Sequence, residues 1–334
     1  MKDVAARAGV SIKTVSRVLA QVPTVDPVIA GRVRDAADGL GFRPNLMASN
    51  LRRSDGRTNT IGLLLEDVSN PFSALVHRSV EDYFRSRGVL VLAGSVDQDP
   101  DREREMARTL INRRVDGLIV MSSCTEPRYI VAEQQTGTSF VFIDRAPAPL
   151  LADAVVADNR VSARTAVAHL LETGRRVVAY FGDDLRIPTA DERFSGYQDA
   201  MAAAGLDLEE KVIRHGIRTV GQARDATRTM LQTQYPEAVF TSQNLVTIGA
   251  LEAIHDLGLQ DEIALVGFDD IPLAGLIKPG TTVMAQDPVE MGRCAASQLL
   301  DRINGDISPP SIHTIPTRLI VRGSGELPRH TSRA

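Results

Sequence analysis

Asp3-Val4-Ala5-Ala6-Arg7-Ala8-Gly9-Val10-Ser11-Ile12-Lys13-Thr14-Val15-Ser16-Arg17-Val18-Leu19 reads as two short helices around a turn. Val4, Ala5 and Ala8 fall on one face of the first helix. Gly9 suits the tight turn because it takes positive φ without strain. Ser11 then stands at the N-cap of the second helix, where its hydroxyl accepts an otherwise unpaired N–H. Two such helices joined through a glycine form a helix-turn-helix. Val10, Val15, Val18 and Leu19 point inward, leaving Ile12, Lys13, Ser16 and Arg17 on the outer face. A third helix opens with Asp26 as cap and Pro27 in its first turn, where a missing N–H does no harm. It carries Val28, Val33, Ala36, Ala37 and Leu40 and stops at Gly41.

The charge balance of this head differs from that of the rest. Residues 1–57 carry ten Lys/Arg against five Asp/Glu, whereas the remainder carries 28 against 37. A basic head on an acidic body points to a module for a polyanion joined to a body with another task. The whole chain has 334 residues and a net charge of −4. Its 43% hydrophobic and 24% charged residues exclude a disordered or fibrous protein. No apolar run approaches the roughly 18 residues of a membrane helix, and the N-terminus lacks a secretion signal, so the cytoplasm is the expected compartment. Cys124 and Cys294 have no zinc or disulfide spacing and are expected to be buried small apolar residues.

Beyond a polar linker at 52–59, apolar strand-like runs alternate with helical patterns. The runs are Ile61 to Leu65, Val89 to Ala93, Gly117 to Met121, Phe140 to Ile143, Val177 to Phe181, Val239-Phe240 and Ile263 to Phe268. Phe72, Leu75, Val76, Val80 and Phe84 recur every third or fourth residue, the period of an amphipathic helix. Strand–helix–strand alternation over this length predicts parallel sheets covered by helices, in two similar α/β halves.

The head resembles the DNA-binding start of the lactose-repressor (LacI/GalR) family of bacterial transcription regulators. Gly41-Phe42-Arg43-Pro44-Asn45-Leu46-Met47-Ala48-Ser49-Asn50-Leu51 resembles that family's hinge segment. The resemblance implies a recognition helix whose Ile12 and Lys13 face base edges in the major groove. Lys13 can donate to guanine, and Ile12 can make only apolar contact. Ser11, Thr14, Ser16 and Arg17 are the implied phosphate or mixed contacts. Asn45 is the implied cap of a hinge helix over about 45–53, which also carries Ala48 and Arg52. Leu51 is its wedge between base steps of the minor groove. Two departures stand out: the chain starts almost at the first helix, without the family's hydroxyl cap, and Ile29-Ala30 replaces a common Thr-Arg pair near the phosphates.

The body resembles the same family's core, which shares the fold of periplasmic sugar-binding proteins. Ser69-Asn70-Pro71-Phe72, Asp144-Arg145, Arg193-Phe194-Ser195-Gly196-Tyr197, Val266-Gly267-Phe268-Asp269-Asp270-Ile271-Pro272 and Thr281-Thr282-Val283 carry the likeness. The implied architecture is an all-α helix-turn-helix head, residues 1–57, on a periplasmic-binding-protein-like core of two parallel-sheet subdomains, residues 58–334. The chain crosses between subdomains near 157, 285 and 317, so that 58–157 with 285–317 form one and 158–284 with 318–334 the other. Asn70, Phe72, Asp144, Arg193, Gln243 and Asp269 are the implied effector contacts; Gln243-Asn244 replaces the family's frequent Asn-Asp. These motifs fall at strand carboxyl ends or helix starts, where open parallel sheets bind small ligands. Arg193 and Asp269 suit hydroxyl groups, since guanidinium donates in a fork and carboxylate accepts from neighbouring hydroxyls. Other roles stay open at this stage: Asn70 and Asp269 as helix caps, Phe72 as core, Arg193 as a bridge between halves.

The resulting expectation is a repressor that binds palindromic double-stranded operator DNA as a homodimer, controlled by a sugar-like effector and without a cofactor. The tail from Glu326 to Ala334 has one Leu, a Pro and no heptad, which speaks against a tetramer-forming coiled coil. An enzyme is the rival reading, but the chain has no Gly-x-Gly-x-x-Gly after a strand, no phosphate loop and no nucleophile elbow. A sugar-binding protein without a DNA role is a second rival, and the basic head speaks against it.

Overall fold

The computed structural model describes residues 1–19, 24–42, 57–124 and 126–328. Its contacts divide the chain into two compact units, Met1–Thr58 and Asn59–Ala334.

The first unit holds α1 (Lys2–Ala8), α2 (Ile12–Leu19) and α3 (Pro27–Gly39). Met1 precedes α1 without a side-chain cap. Gly9 ends that helix at φ +63°, and a β-carbon there would lie 2.8 Å from the Arg32 guanidinium, which donates to the Ala8 carbonyl. A side chain at residue 9 would therefore be strained by the backbone conformation and would have to displace the end of Arg32. The Ser11 hydroxyl accepts the Thr14 N–H at 3.1 Å, and Asp26 accepts those of Val28 and Ile29 at 2.8 and 3.2 Å. Val4, Ala5, Ala8, Val15, Val18 and Val33 are buried in the small core, with Val10 and Leu19 packed against it.

The second unit begins β1 (Thr60–Leu65), α4 (Pro71–Arg85), β2 (Leu90–Ser95) and α5 (Pro100–Asn112). Next come β3 (Gly117–Val120), α6 (Tyr129–Gln135), β4 (Ser139–Ile143) and β5 (Asp153–Ala157). A second half follows with α7 (Asn159–Glu172), β6 (Val178–Phe181), α8 (Pro188–Ala203) and β7 (Ile213–Arg214). It continues with α9 (Val220–Thr233), β8 (Ala238–Thr241), α10 (Asn244–Asp256), β9 (Ala264–Phe268) and β10 (Thr282–Ala285). The chain then returns to the first half for α11 (Pro288–Ile303) and β11 (Ile312–Ile315), and to the second for β12 (Arg318–Ile320).

Each half has a six-stranded sheet, ordered β11-β5-β4-β3-β1-β2 in the first and β12-β10-β9-β8-β6-β7 in the second. Every pairing is parallel except β10 with β12. The central strands are apolar on both faces because helices cover both: Leu63, Leu64 and Leu65 are fully buried. Val76, Val80 and Phe84 of α4 pack on one face of the first sheet beside Met291 and Leu299 of α11; Ala107 of α5 and Ile130 of α6 pack on the other. In the second half α7 and α8 cover one face, α9 and α10 the other.

One expectation needs correction. Both cysteines are half-buried, not buried. Cys124 lies in the polar loop after β3, where burial and the neighbouring Glu103 carboxylate push its thiol up to about 12. Cys294 packs at the edge of the first core, with Gln298 Nε2 3.5 Å from its sulfur.

Candidate functional site

On the head, α2 presents Ser11, Ile12, Lys13 and Arg17 as exposed residues and leaves Thr14 and Ser16 half-buried. Ile12, a large aliphatic residue, is 45% exposed at the start of the helix. Burial of Val15 and Val18 fixes which face turns outward. Arg17 is tied by Nη2 to the Thr24 hydroxyl at 2.6 Å, which holds its guanidinium near the helix's outer face. Ala30 is buried in α3 and packs in the core of the head. Asn45, Ala48, Leu51 and Arg52 lie outside the described residues.

In the body, side chains from the carboxyl ends of both sheets meet around one cleft. The first half contributes Glu66 after β1, Asn70 and Phe72 at the start of α4, Gln98 after β2, and Asp144-Arg145 after β4. The second contributes Asp183 after β6, Arg193 on α8, Gln243-Asn244 after β8, Asp269 after β9 and Gln286 after β10. All six residues expected from the sequence line this one cleft. Phe72 also packs against the first core, so its ring serves both.

Direct hydrogen bonds cross the cleft. Asn70 Oδ1 accepts the Phe72 N–H at 3.0 Å, capping α4, and also accepts from Asn244 Nδ2 at 2.8 Å. Asn70 Nδ2 donates back to Asn244 Oδ1 at 3.3 Å, so the two amides pair reciprocally. Gln98 Nε2 donates to Glu66 Oε1 at 2.5 Å and to Asp183 Oδ2 at 3.3 Å in the other half.

Asp144 and Asp269 occupy matching places at the ends of β4 and β9, both buried and both at positive φ, +69° and +67°. Non-glycine residues in this region cost about 1 to 3 kcal/mol, and such strain gathers at functional sites. Burial raises both carboxyls above the usual carboxylate range, because desolvation disfavours the charged form. Arg145 and Arg193 partly restore the charge on Asp144; Arg193, Gln286 and the Asn244 N–H do so for Asp269. Gln286 Nε2 donates to Asp269 Oδ1 at 2.6 Å, and Arg145 lies 3.3 Å from Asp144 while bonding Glu66 at 2.5 Å.

Arg193 does not bridge the halves. Its Nε donates to Asn159 Oδ1 at 2.8 Å, its Nη1 to the Ser242 carbonyl at 2.7 Å, and its guanidinium sits 3.9 Å above the Phe268 ring, all within the second half. Gln243 turns aside, donating to the Ile217 carbonyl at 3.1 Å. Two buried polar atoms of the lining have no partner, Gln98 Oε1 and Gln286 Oε1. Buried polar groups are nearly always paired, so unpaired ones converging on a cleft mark where a polar ligand's groups belong.

Glu66, Gln98, Asp183 and Gln286 were not singled out from the sequence, and Arg145 and Asn244 appeared there only within the quoted pairs Asp144-Arg145 and Gln243-Asn244. The rule that ligands gather at the carboxyl ends of parallel strands reaches every one of them, since each follows a strand by one to three residues.

Comparison with known proteins settles the family. Residues 1–45 match the model for bacterial regulatory proteins of the lacI family, and residues 167–325 match that for a periplasmic binding protein-like domain. The HTH-type transcriptional repressor CytR of Escherichia coli K12 is 30% identical over 327 residues, 97% of this chain and 95% of that one. The chain belongs to the lacI family. Among solved structures, the transcriptional regulator CelR–cellobiose complex is 28% identical, with a TM-score of 0.72 over 97% of this chain and 98% of that one. The lac repressor dimer bound to operator and the anti-inducer ONPF is 22% identical with a TM-score of 0.84, over 97% and 98% of the two chains, and shows the shared fold. As a lacI-family member the protein is a helix-turn-helix transcription regulator with a periplasmic-binding-protein-like core. No described helix is long and apolar enough to cross a membrane.

Proposed function

We propose that the protein is a repressor that binds a palindromic operator as a homodimer and changes its operator affinity when a polyhydroxylated metabolite, a sugar or sugar derivative, occupies the cleft. The observation that carries this reading is the cleft itself: buried carboxylates and guanidinium groups from both halves, with the buried Gln98 Oε1 and Gln286 Oε1 unpaired. Asn70, Phe72 and Asp144 on one side and Arg193, Gln243 and Asp269 on the other are the proposed ligand contacts, joined by Gln98, Arg145, Asn244 and Gln286. A ligand held from both sides favours one relative orientation of the halves.

DNA contact falls to Ser11, Ile12, Lys13, Thr14, Ser16 and Arg17, together with Asn45, Ala48, Leu51 and Arg52 of the hinge. Two paired recognition helices impose their two-fold symmetry on the half-sites. In this reading residues 1–57 serve DNA and 58–334 serve ligand and dimerisation, with the chain crossing between subdomains near 157, 285 and 317. The cellobiose complex of CelR supports a carbohydrate ligand, and the operator complex of the lac repressor dimer supports the dimer. The test is a thermal-shift screen of the purified protein against sugars, polyols, sugar acids and nucleosides. A ligand that binds only the native state at 100 times its Kd stabilises it by about 2.7 kcal/mol. A hit from these classes that also shifts operator affinity is the expected result; stabilisation by none of them would overturn the reading.

A further inference from the structure

Carboxylates outnumber cations in the cleft. Its lining holds Glu66, Asp144, Asp183 and Asp269 against the guanidinium groups of Arg145 and Arg193. Arg218 bonds Asp183 at 3.0 Å from outside the lining and still leaves the carboxylates in excess. Both guanidinium groups of the lining are already engaged by the protein. Arg145 donates to Glu66 and to the Ser122 carbonyl and lies 3.3 Å from Asp144. Arg193 donates to Asn159 and to the Ser242 carbonyl and sits over the Phe268 ring. An entering anion would have to compete with these partners for its counter-charge.

The amides of the lining add to the bias. Gln98 donates its NH₂ to Glu66 and Asp183, and Gln286 donates its own to Asp269. An ionised carboxylate only accepts hydrogen bonds, so each amide must turn its NH₂ toward the carboxylate and its carbonyl away. Those carbonyls are the two oxygens left without a partner, Gln98 Oε1 and Gln286 Oε1. Gln243 likewise donates to the Ile217 carbonyl, and Asn70 and Asn244 donate to each other. The protein thus uses its own donors and leaves acceptors for the ligand. Burial raises the Asp144 and Asp269 carboxyls, and the Asp269 charge raises Asp144 further. A negative ligand adds to that conflict and a positive one relieves it. Like charges facing each other are a common way of rejecting a wrong ligand.

We infer that the cleft discriminates by charge: it admits neutral polyols and their amine-bearing counterparts and turns away sugar acids and sugar phosphates. This rests on the sugar reading above and names which sugars qualify. Series that differ at one position, titrated calorimetrically into the full-length protein, test it. They are glucose, galactose and mannose, each beside its 6-amino-6-deoxy form and its uronic acid, and ribose beside ribose 5-phosphate. In the series that binds, the acid or phosphate should be at least tenfold weaker than the neutral sugar. The amine occupies the same position as the acid and separates charge from crowding, so it should bind at least tenfold more tightly than the acid. Glu66→Gln removes a carboxylate and loosens its hold on Arg145, and Asp183→Asn removes another. In whichever of these retains the wild-type melting temperature, the gap between neutral sugar and anion should narrow at least threefold. An anion that matches its neutral sugar, an amine lost as fully as the acid, or an unchanged gap in the variants overturns the charge rule alone. Binding by no member of any series overturns the sugar reading, and the charge rule with it.

Discussion

Asp269 concentrates the physical conflict at this site. Its carboxyl is buried, strained to φ +67° and raised in pKa by desolvation, with Arg193, Gln286 and the Asn244 N–H offsetting only part of that cost. The unfolded chain gives up this proton at lower pH than the native cleft does. Between the two values the native state holds more protons, so this group's contribution to stability falls as pH rises through the native value. Asp269→Asn keeps an acceptor for Gln286 and removes the charge. Its ligand-free form should be more stable than wild type by about 0.5 to 2 kcal/mol at neutral pH, the range of common stabilising substitutions. That margin should shrink on acidification, while ligand affinity at neutral pH falls. Chemical denaturation of both proteins from pH 4 to 8 checks the sign; a margin that grows toward acid contradicts it. At this scale the sequence was half legible. Motifs pointed to Asn70, Asp144, Arg193 and Asp269, but not to Gln98 or Gln286. Glutamines carry no charge signature, and only the strand ends beside them reveal their place. Nor does residue type say that Arg193 is held wholly within one half.

Among the elements, the strands read best where helices cover both faces, since such strands are unbroken apolar runs. β1, β3, β4 and β9 have this character and fall within a residue or two of their expected bounds. Three of the four edge strands escaped, β2 being the exception: β11 is mostly exposed, β7 has two residues, and β12 has three. Asp153-Ala154-Val155-Val156-Ala157 of β5 lacks large apolar side chains, and its Asp153 is instead taken by Arg302 at 2.6 Å. Helix contacts are encoded by single glycines. A β-carbon on Gly196 of α8 would meet the Arg160 carbonyl at 2.2 Å and Ala163 at 2.8 Å; Gly249 of α10 meets α9 in the same way. Backbone at that range must move. Overpacking of this kind costs about 1 to 3 kcal/mol. Gly196→Ala should therefore destabilise the protein by that amount, and because Gly196 lies one turn from Arg193 it should also weaken ligand binding. Denaturant unfolding and ligand titration of this variant check both effects; unchanged ligand affinity in a destabilised variant would separate the packing from the site.

For the molecule as a whole, the two halves are cross-linked through the chain three times, at β5–α7, β10–α11 and β11–β12. Across the cleft the pairs Asn70–Asn244 and Gln98–Asp183 join them. The charge balance pointed to a basic head on an acidic body and the motifs decided it; the alternation of apolar runs and helical patterns predicted two parallel-sheet halves, and the family fold of each part came from the resemblance. What the sequence left unread is how weakly the halves are tied across the cleft, since such contacts unite residues 85 or 174 positions apart. Allosteric coupling of about 1 to 3 kcal/mol, a 5- to 150-fold change in affinity, is enough to run a regulator of this design.

The central claim is that occupancy of this cleft sets the affinity of the head for DNA. The direct measurement is operator affinity of wild type and Asp269→Asn, each with and without a ligand found by the thermal screen. The account predicts a change of at least fivefold on adding ligand to wild type. In Asp269→Asn it predicts ligand-free operator affinity within twofold of wild type and no ligand response at concentrations that saturate wild type. A full ligand response in Asp269→Asn, or a wild type whose operator affinity ignores the ligand, would contradict it.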